Sequence, residues 1–236
     1  MKLIDARDNL SVQVHPDDAL AKRRHNSFGK TEMWYILDNE PGAKLVSGLD
    51  RALTATEYVA KIKNNSIENF LSSYQVEKGQ AFFIPAGLVH AIGAGIVLAE
   101  VQQTSDITYR IYDYNRKDKN GQPRQLHTEE SVEAVNFAAQ GGPVRQVPLR
   151  DGVEHVVSCE YFTVRSVDLS KAKVYGPDDD ETIKSFIIFM CLEGGAEISY
   201  DGGKETMIKG ETVLIPAAIK NTVTVTGNGK LLQAYV

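Results

Sequence analysis

The sequence is short of several things, and each shortage removes a class of protein. Of 236 residues only two are cysteine, Cys159 and Cys191. They lie far apart, each inside an apolar run, which reads as reduced, buried thiols in a cytoplasmic protein rather than a disulfide framework. No apolar run approaches the ~20 residues a membrane-spanning helix needs, so no membrane partner is expected. The N-terminus has no hydrophobic signal core. Excess positive charge is missing too: 26 Lys and Arg stand against 31 Asp and Glu, a formal net charge of −5. Such a chain has no general attraction for phosphate backbones, which sets nucleic acid aside. An anionic ligand would have to meet a local basic pocket. What is present, 42% hydrophobic and 24% charged residues, suits one large or two small globular units with a sizeable core.

Most of the chain reads as short strands punctuated by glycine and proline. Alternation and β-branched or aromatic enrichment mark residues 34–37, 43–47, 80–84, 95–101, 185–191, 197–200, 211–215 and 221–225. Lys2-Leu3-Ile4-Asp5 also reads as strand, with no turn or cap before it. Two segments break the rhythm as helices. Thr54–Lys63 opens with a Thr cap and Glu57 three residues on, and Thr128–Phe137 carries acidic residues in its first turn. Between Asp113 and Leu126 lies a polar loop without periodicity. Gly141-Gly142-Pro143 marks a boundary, giving domains 1–142 and 143–236.

An internal repeat is visible across that boundary. Gly79-Gln-Ala-Phe-Phe-Ile84-Pro85-Ala-Gly-Leu-Val-His90 aligns with Gly210-Glu-Thr-Val-Leu-Ile215-Pro216-Ala-Ala-Ile-Lys-Asn221, and Glu40–Ala43 with Glu193–Ala196. Without gaps, Glu32 then falls opposite Ser185 and His90 opposite Asn221. A strand ending in Ile-Pro-Ala and then a polar residue resembles the second half of a cupin motif. The fold class expected is mainly β: double cupin-like (jelly-roll) β-barrels with a few inserted helices, only the first carrying side chains suited to a metal.

In Ser11-Val12-Gln13-Val14-His15-Pro16, Gln13 and His15 share one strand face and the valines the other. Taken alone the pair fits a structural histidine as well as a ligand. Glu32 shares a face with Trp34 and Ile36, where a carboxylate is costly unless it is paired, coordinated or at an edge reaching solvent. His90 stands where a cupin-like turn delivers a ligand, or where a loop histidine bonds backbone. Together two His, one Glu and one Gln make a mixed N/O set suited to a borderline divalent ion such as zinc. His25 reads as solvated, His127 as a local helix cap, and His155 as isolated. Arg110, on a strand between tyrosines, is either a surface pair or a fixed binder of anions and oxygens.

Four ordered motifs over residues 2–116 carry a resemblance: Leu10–Asp18, Gly29–Leu37, Ile84–Gly95 and Ser105–Arg116. In these the sequence resembles type I phosphomannose isomerases in their short bacterial form. The resemblance implies one Zn2+ per chain on Gln13, His15, Glu32 and His90, an active-site Arg110 with Lys30 beside it, and Ser11 and Lys2 near the sugar phosphate. Lys2, Lys30, Arg110 and Arg116 are the basic residues expected around the phosphate. The implied reaction interconverts mannose 6-phosphate and fructose 6-phosphate through a cis-enediol, with Lys30, Glu32 or a water at the metal as proton carrier. Members of that family carry a further strand-rich segment before the strand that here starts at Met1, so the chain reads as N-terminally shortened. The alternative is a non-catalytic sugar-phosphate- or metal-binding cupin derived from the isomerase. The sequence sets no oligomeric state.

Overall fold

The computed structural model describes residues 1–117, 119–176, 183–219 and 223–236. The chain divides into two compact units, Met1–Val144 and Arg145–Val236. Both are built mainly of antiparallel strands, with few and short helices. Among the described residues no helix is long and apolar enough to cross a membrane.

In the first unit a four-stranded sheet runs in the order Lys2–Ala6, Ile96–Gln102, Glu32–Asn39, Ala81–Ile84. A five-stranded sheet runs Leu71–Gln75, Lys44–Leu49, His90–Ala91, Val12–Val14, Tyr109–Tyr112. Alternation does its work here: Val12 and Val14 are fully buried, while Gln13 between them is only half-buried on the other face. Trp34, Ile36, Phe82, Ile84 and Leu98 form one apolar cluster. Val12, Val14, Tyr58, Tyr109 and Ile111 belong to a second.

The helix over Ala55–Lys63 starts on Thr54 with a complete capping box: Thr54 accepts from the Glu57 amide and Glu57 from the Thr54 amide. A second helix, Asp18–His25, is not expected from periodicity because only Leu20 and Ala21 are buried in it. Its signal is Asp17, whose side chain caps the Leu20 amide. The expected helix over Thr128–Phe137 ends earlier, at Ala134.

The second unit repeats the plan. One sheet runs Val147–Arg150, Val153–Ser158, Thr163–Asp168, Lys230–Tyr235, Ile187–Glu193, Thr212–Ile215. Another runs Val174–Tyr175, Thr224–Gly227, Gly195–Tyr200, Gly203–Ile208. Its core gathers Val167, Tyr175, Phe189, Ile198, Val225 and Leu231.

The ladders correct the gapless repeat. Glu32 pairs Ile84, and Ile187 pairs Ile215, so Ile187 rather than Ser185 is the counterpart of Glu32. The reason is the turn that follows: residues 40–43 join the two strands in the first unit, and Gly194 alone joins them in the second. Asn221, aligned with His90, lies outside the described residues. Both cysteines are free; Cys191 is buried, whereas Cys159 is only half-buried.

Candidate functional site

His15 follows the Val12–Val14 strand, and His90 opens a two-residue strand that pairs Gln13 on one side and Ser47 on the other. The Pro85-Ala86-Gly87 turn ties the two histidine segments together. Gly87 takes φ +88°, with its amide on the His15 carbonyl at 2.9 Å. A side chain there would be strained by that φ and would crowd the Ala134 carbonyl oxygen, 3.0 Å from a built Cβ. Glu32 starts the strand beside this turn.

One ligand atom each from His15, Glu32 and His90 lie within 4.8 Å of one another, and all three residues are buried. His15 Nδ1 meets the Ile107 carbonyl at 2.8 Å, and His90 Nδ1 meets the Leu88 carbonyl at 2.8 Å. A carbonyl only accepts, so each Nδ1 carries the proton and each Nε2 presents a lone pair. Those two Nε2 atoms are 3.1 Å apart. Each also lies 3.6 Å from a Glu32 oxygen. Among the described residues Glu32 Oε1, which is buried, has no hydrogen-bond partner. Two converging lone pairs and an orphaned carboxylate oxygen are what a bound cation would satisfy, so these residues fit a metal.

Electrostatics agree with this arrangement. Burial first, and then the nearby Glu100 charge, push the Glu32 carboxyl up to about 7. Burial, and then Lys30, push His90 down to about 4, and burial with His90 and Lys30 as neighbours holds His15 well below its ordinary range. Both imidazoles are therefore neutral near pH 7, the form that binds metals.

Lys30 is buried as well. Its ammonium donates to Glu32 Oε2 and lies 3.0 Å from His15 Nε2. It also lines an open concavity of about 600 Å³ together with Lys2, Gln102, Ser105, Asp106 and Thr108. A second concavity, about 460 Å³, holds Ser11, Gln13, Arg110, Arg116 and Arg124, and shares Thr108 with the first. Lys2 and Lys30 thus lie on one hollow and Ser11, Gln13, Arg110 and Arg116 on the other, while the buried His15, Glu32 and His90 line neither.

Three have partners the sequence does not reveal. Lys2 donates to Glu100 Oε1 at 2.9 Å and Gln102 Oε1 at 2.5 Å. Arg116 donates to Asp113 and to the Asn9 carbonyl. Asp113 also takes Arg124, and the two guanidinium groups hold its carboxyl below the usual range against its burial. Arg110 donates from Nη1 to the Gln125 carbonyl at 3.0 Å, while its buried Nε has no partner among the described residues.

Glu100 is the residue that sequence reasoning missed. It is buried and accepts from Trp34 Nε1 at 3.1 Å as well as from Lys2. An acid in the middle of the apolar run Ile96–Val101 was its available signal. Of the remaining histidines, His25 is exposed as expected, with Nε2 2.7 Å from the Tyr109 hydroxyl, and His155 Nε2 meets Ser158 Oγ at 2.9 Å. His127 occupies the N-cap position, yet its side chain makes no cap bond. It accepts the Arg110 amide instead.

Comparison with known proteins agrees with the motifs. The family model described as Mannose-6-phosphate isomerase, cupin domain matches residues 152–236. Mannose-6-phosphate isomerase of Streptococcus mutans is 34% identical over 225 residues, covering 93% of this chain and 68% of that protein. Mannose-6-phosphate isomerase ManA of Bacillus subtilis is 35% identical over 226 residues, covering 91% and 68%. The crystal structure of the mannose 6-phosphate isomerase from Bacillus subtilis superposes with a TM-score of 0.87 at 31% identity, over 99% of this chain and 74% of that one.

Proposed function

The chain belongs to the mannose-6-phosphate isomerase family, and from that membership we propose that it interconverts mannose 6-phosphate and fructose 6-phosphate through a cis-enediol, with one Zn2+ per chain. The observation that carries the reading is the contact of two Nε2 lone pairs at 3.1 Å beside Glu32. In this reading His15, His90 and Glu32 hold the ion with Gln13, which lies opposite His90 on the ladder, as fourth donor. Zinc would supply Lewis-acid polarisation of the sugar oxygens.

The chain's own residues then have separate tasks. Isomerisation breaks the C2–H bond of the aldose and returns a proton to C1, while the C2 hydroxyl gives up its proton and the C1 carbonyl oxygen gains one. Negative charge develops on oxygen between those steps, and Arg110, with its unpartnered Nε, is the group to stabilise it. Lys30 reaches both the buried cluster and the adjoining hollow, which suits it to hold the travelling proton. Ser11, Lys2 and Arg116 line the hollows and are assigned to binding the sugar phosphate. The chemistry falls to domain 1–142, with 143–236 a cupin-like domain without metal ligands. Ile187, which has no donor atom, in the place of Glu32 supports that division.

The test is turnover. Zinc-loaded chain incubated with mannose 6-phosphate should form fructose 6-phosphate, read by a coupled dehydrogenase assay. No conversion with stoichiometric zinc overturns the reading. Sugar-phosphate binding in that same sample would identify a non-catalytic binding protein.

A further inference from the structure

Arg110 lies on the outermost strand of its sheet, so one edge has no neighbouring strand among the described residues. The stretch just before the Thr128–Ala134 helix takes that place. The His127 amide donates to the Arg110 carbonyl at 2.8 Å. In return the Arg110 amide donates to His127 Nδ1 at 3.1 Å. An imidazole nitrogen thus stands in for the carbonyl that a ladder partner would offer. Two residues earlier, the Gln125 carbonyl accepts from Arg110 Nη1. One short segment therefore grips Arg110 by its backbone and by its guanidinium. The ring is itself braced, 6.2 Å from the Tyr109 ring, whose hydroxyl meets His25.

We propose that His127 is a positioning residue for Arg110: its Nδ1 lone pair holds the Arg110 backbone where the guanidinium reaches the reacting sugar oxygens. The inference rests on the isomerase reading above. Its chemistry is specific to one atom. An Nδ1 that accepts leaves the ring proton on Nε2, the tautomer opposite to that of His15 and His90.

The experiment compares His127→Ala, His127→Asn and His127→Gln in the zinc-loaded chain. Asn sets its Oδ1 where Nδ1 stands, whereas Gln sets its acceptor one bond farther out. A positioning hydrogen bond whose loss is felt in the transition state is worth about tenfold in rate. His127→Ala should therefore lower kcat about tenfold with KM within about twofold. His127→Asn should restore most of that loss, and His127→Gln should not. An unchanged kcat in His127→Ala, or equal losses in the Asn and Gln variants, overturns the proposal. Should the Ala variant not fold, the contrast between Asn and Gln decides. A readout free of turnover is nitrogen NMR of the unmutated chain near neutral pH. An unprotonated Nδ1 at His127 is expected, and a protonated one overturns the proposal. A chain that does not turn over at all refutes the isomerase reading, while the NMR result still tests the contact.

Discussion

His15 and His90 face one another through Nε2 at 3.1 Å while backbone carbonyls hold both Nδ1 atoms. Neither ring can turn its proton inward without giving up a buried hydrogen bond. The pair is therefore preset for a cation, and the consequences can be measured.

Removing one ring should remove the ion. His90→Ala is expected to weaken zinc binding by more than the roughly 10–100-fold that loss of an outer-sphere partner costs. Competition against a chromophoric chelator measures this. Wild-type affinity in the variant would exclude His90 as a ligand.

Metal uptake should release protons in a pH-dependent way. With its carboxyl raised to about 7, Glu32 is mostly protonated in the metal-free chain at lower pH and ionised at higher pH. Zinc takes the ionised form, so binding should release about one proton from Glu32 at about pH 6 and almost none at about pH 8.5. The histidines contribute little at either pH, because His90 sits at about 4 and His15 well below its ordinary range. Affinity therefore falls on acidification through 7. Calorimetry in buffers of different ionisation enthalpy gives the proton count, and Glu32→Gln should abolish the difference.

Arg110→Lys keeps the charge and loses the planar fork. We expect kcat to fall by about 10²-fold with zinc content unchanged, since the compact ammonium lacks the spread, fixed donors with which the guanidinium can hold the Gln125 carbonyl and face a substrate oxygen together. Steady-state kinetics on metal-replete protein checks it, and a wild-type kcat would remove Arg110 from the chemistry.

Stability offers a separate check. The buried Tyr58 hydroxyl donates to Ser131 at 2.9 Å, linking the two inserted helices. Tyr58→Phe should cost about 1 kcal/mol in denaturant unfolding. A neutral result would show that this bond contributes nothing net.

Much of the fold is legible along the chain because strands, turns and caps are local. Val12 and Val14 alternate with Gln13, and Thr54 with Glu57 announces a helix start borne out to the residue. The helix at Asp18–His25 is not legible through periodicity, since it buries only one turn, and its cap at Asp17 is its one clear mark. The repeat shows that the two halves are alike, but alignment straight through a turn of different length misplaces the counterpart of Glu32.

The site divides in the same way. By itself the sequence determined which residue types are available, namely Gln13, His15, Lys30, Glu32, His90 and Arg110, and through alternation the strand face expected for Gln13, His15, Glu32 and Arg110. Only the tertiary structure decided what they do to one another. The carbonyls of Ile107 and Leu88 choose the tautomers of His15 and His90, Glu100 receives Lys2, and Asp113 engages Arg116. The contacts of His15 with Ile107 and of Lys2 with Glu100 join residues far apart in sequence, and in all four hydrogen-bond direction and desolvation depend on distance in space, which strand and helix periodicity does not encode.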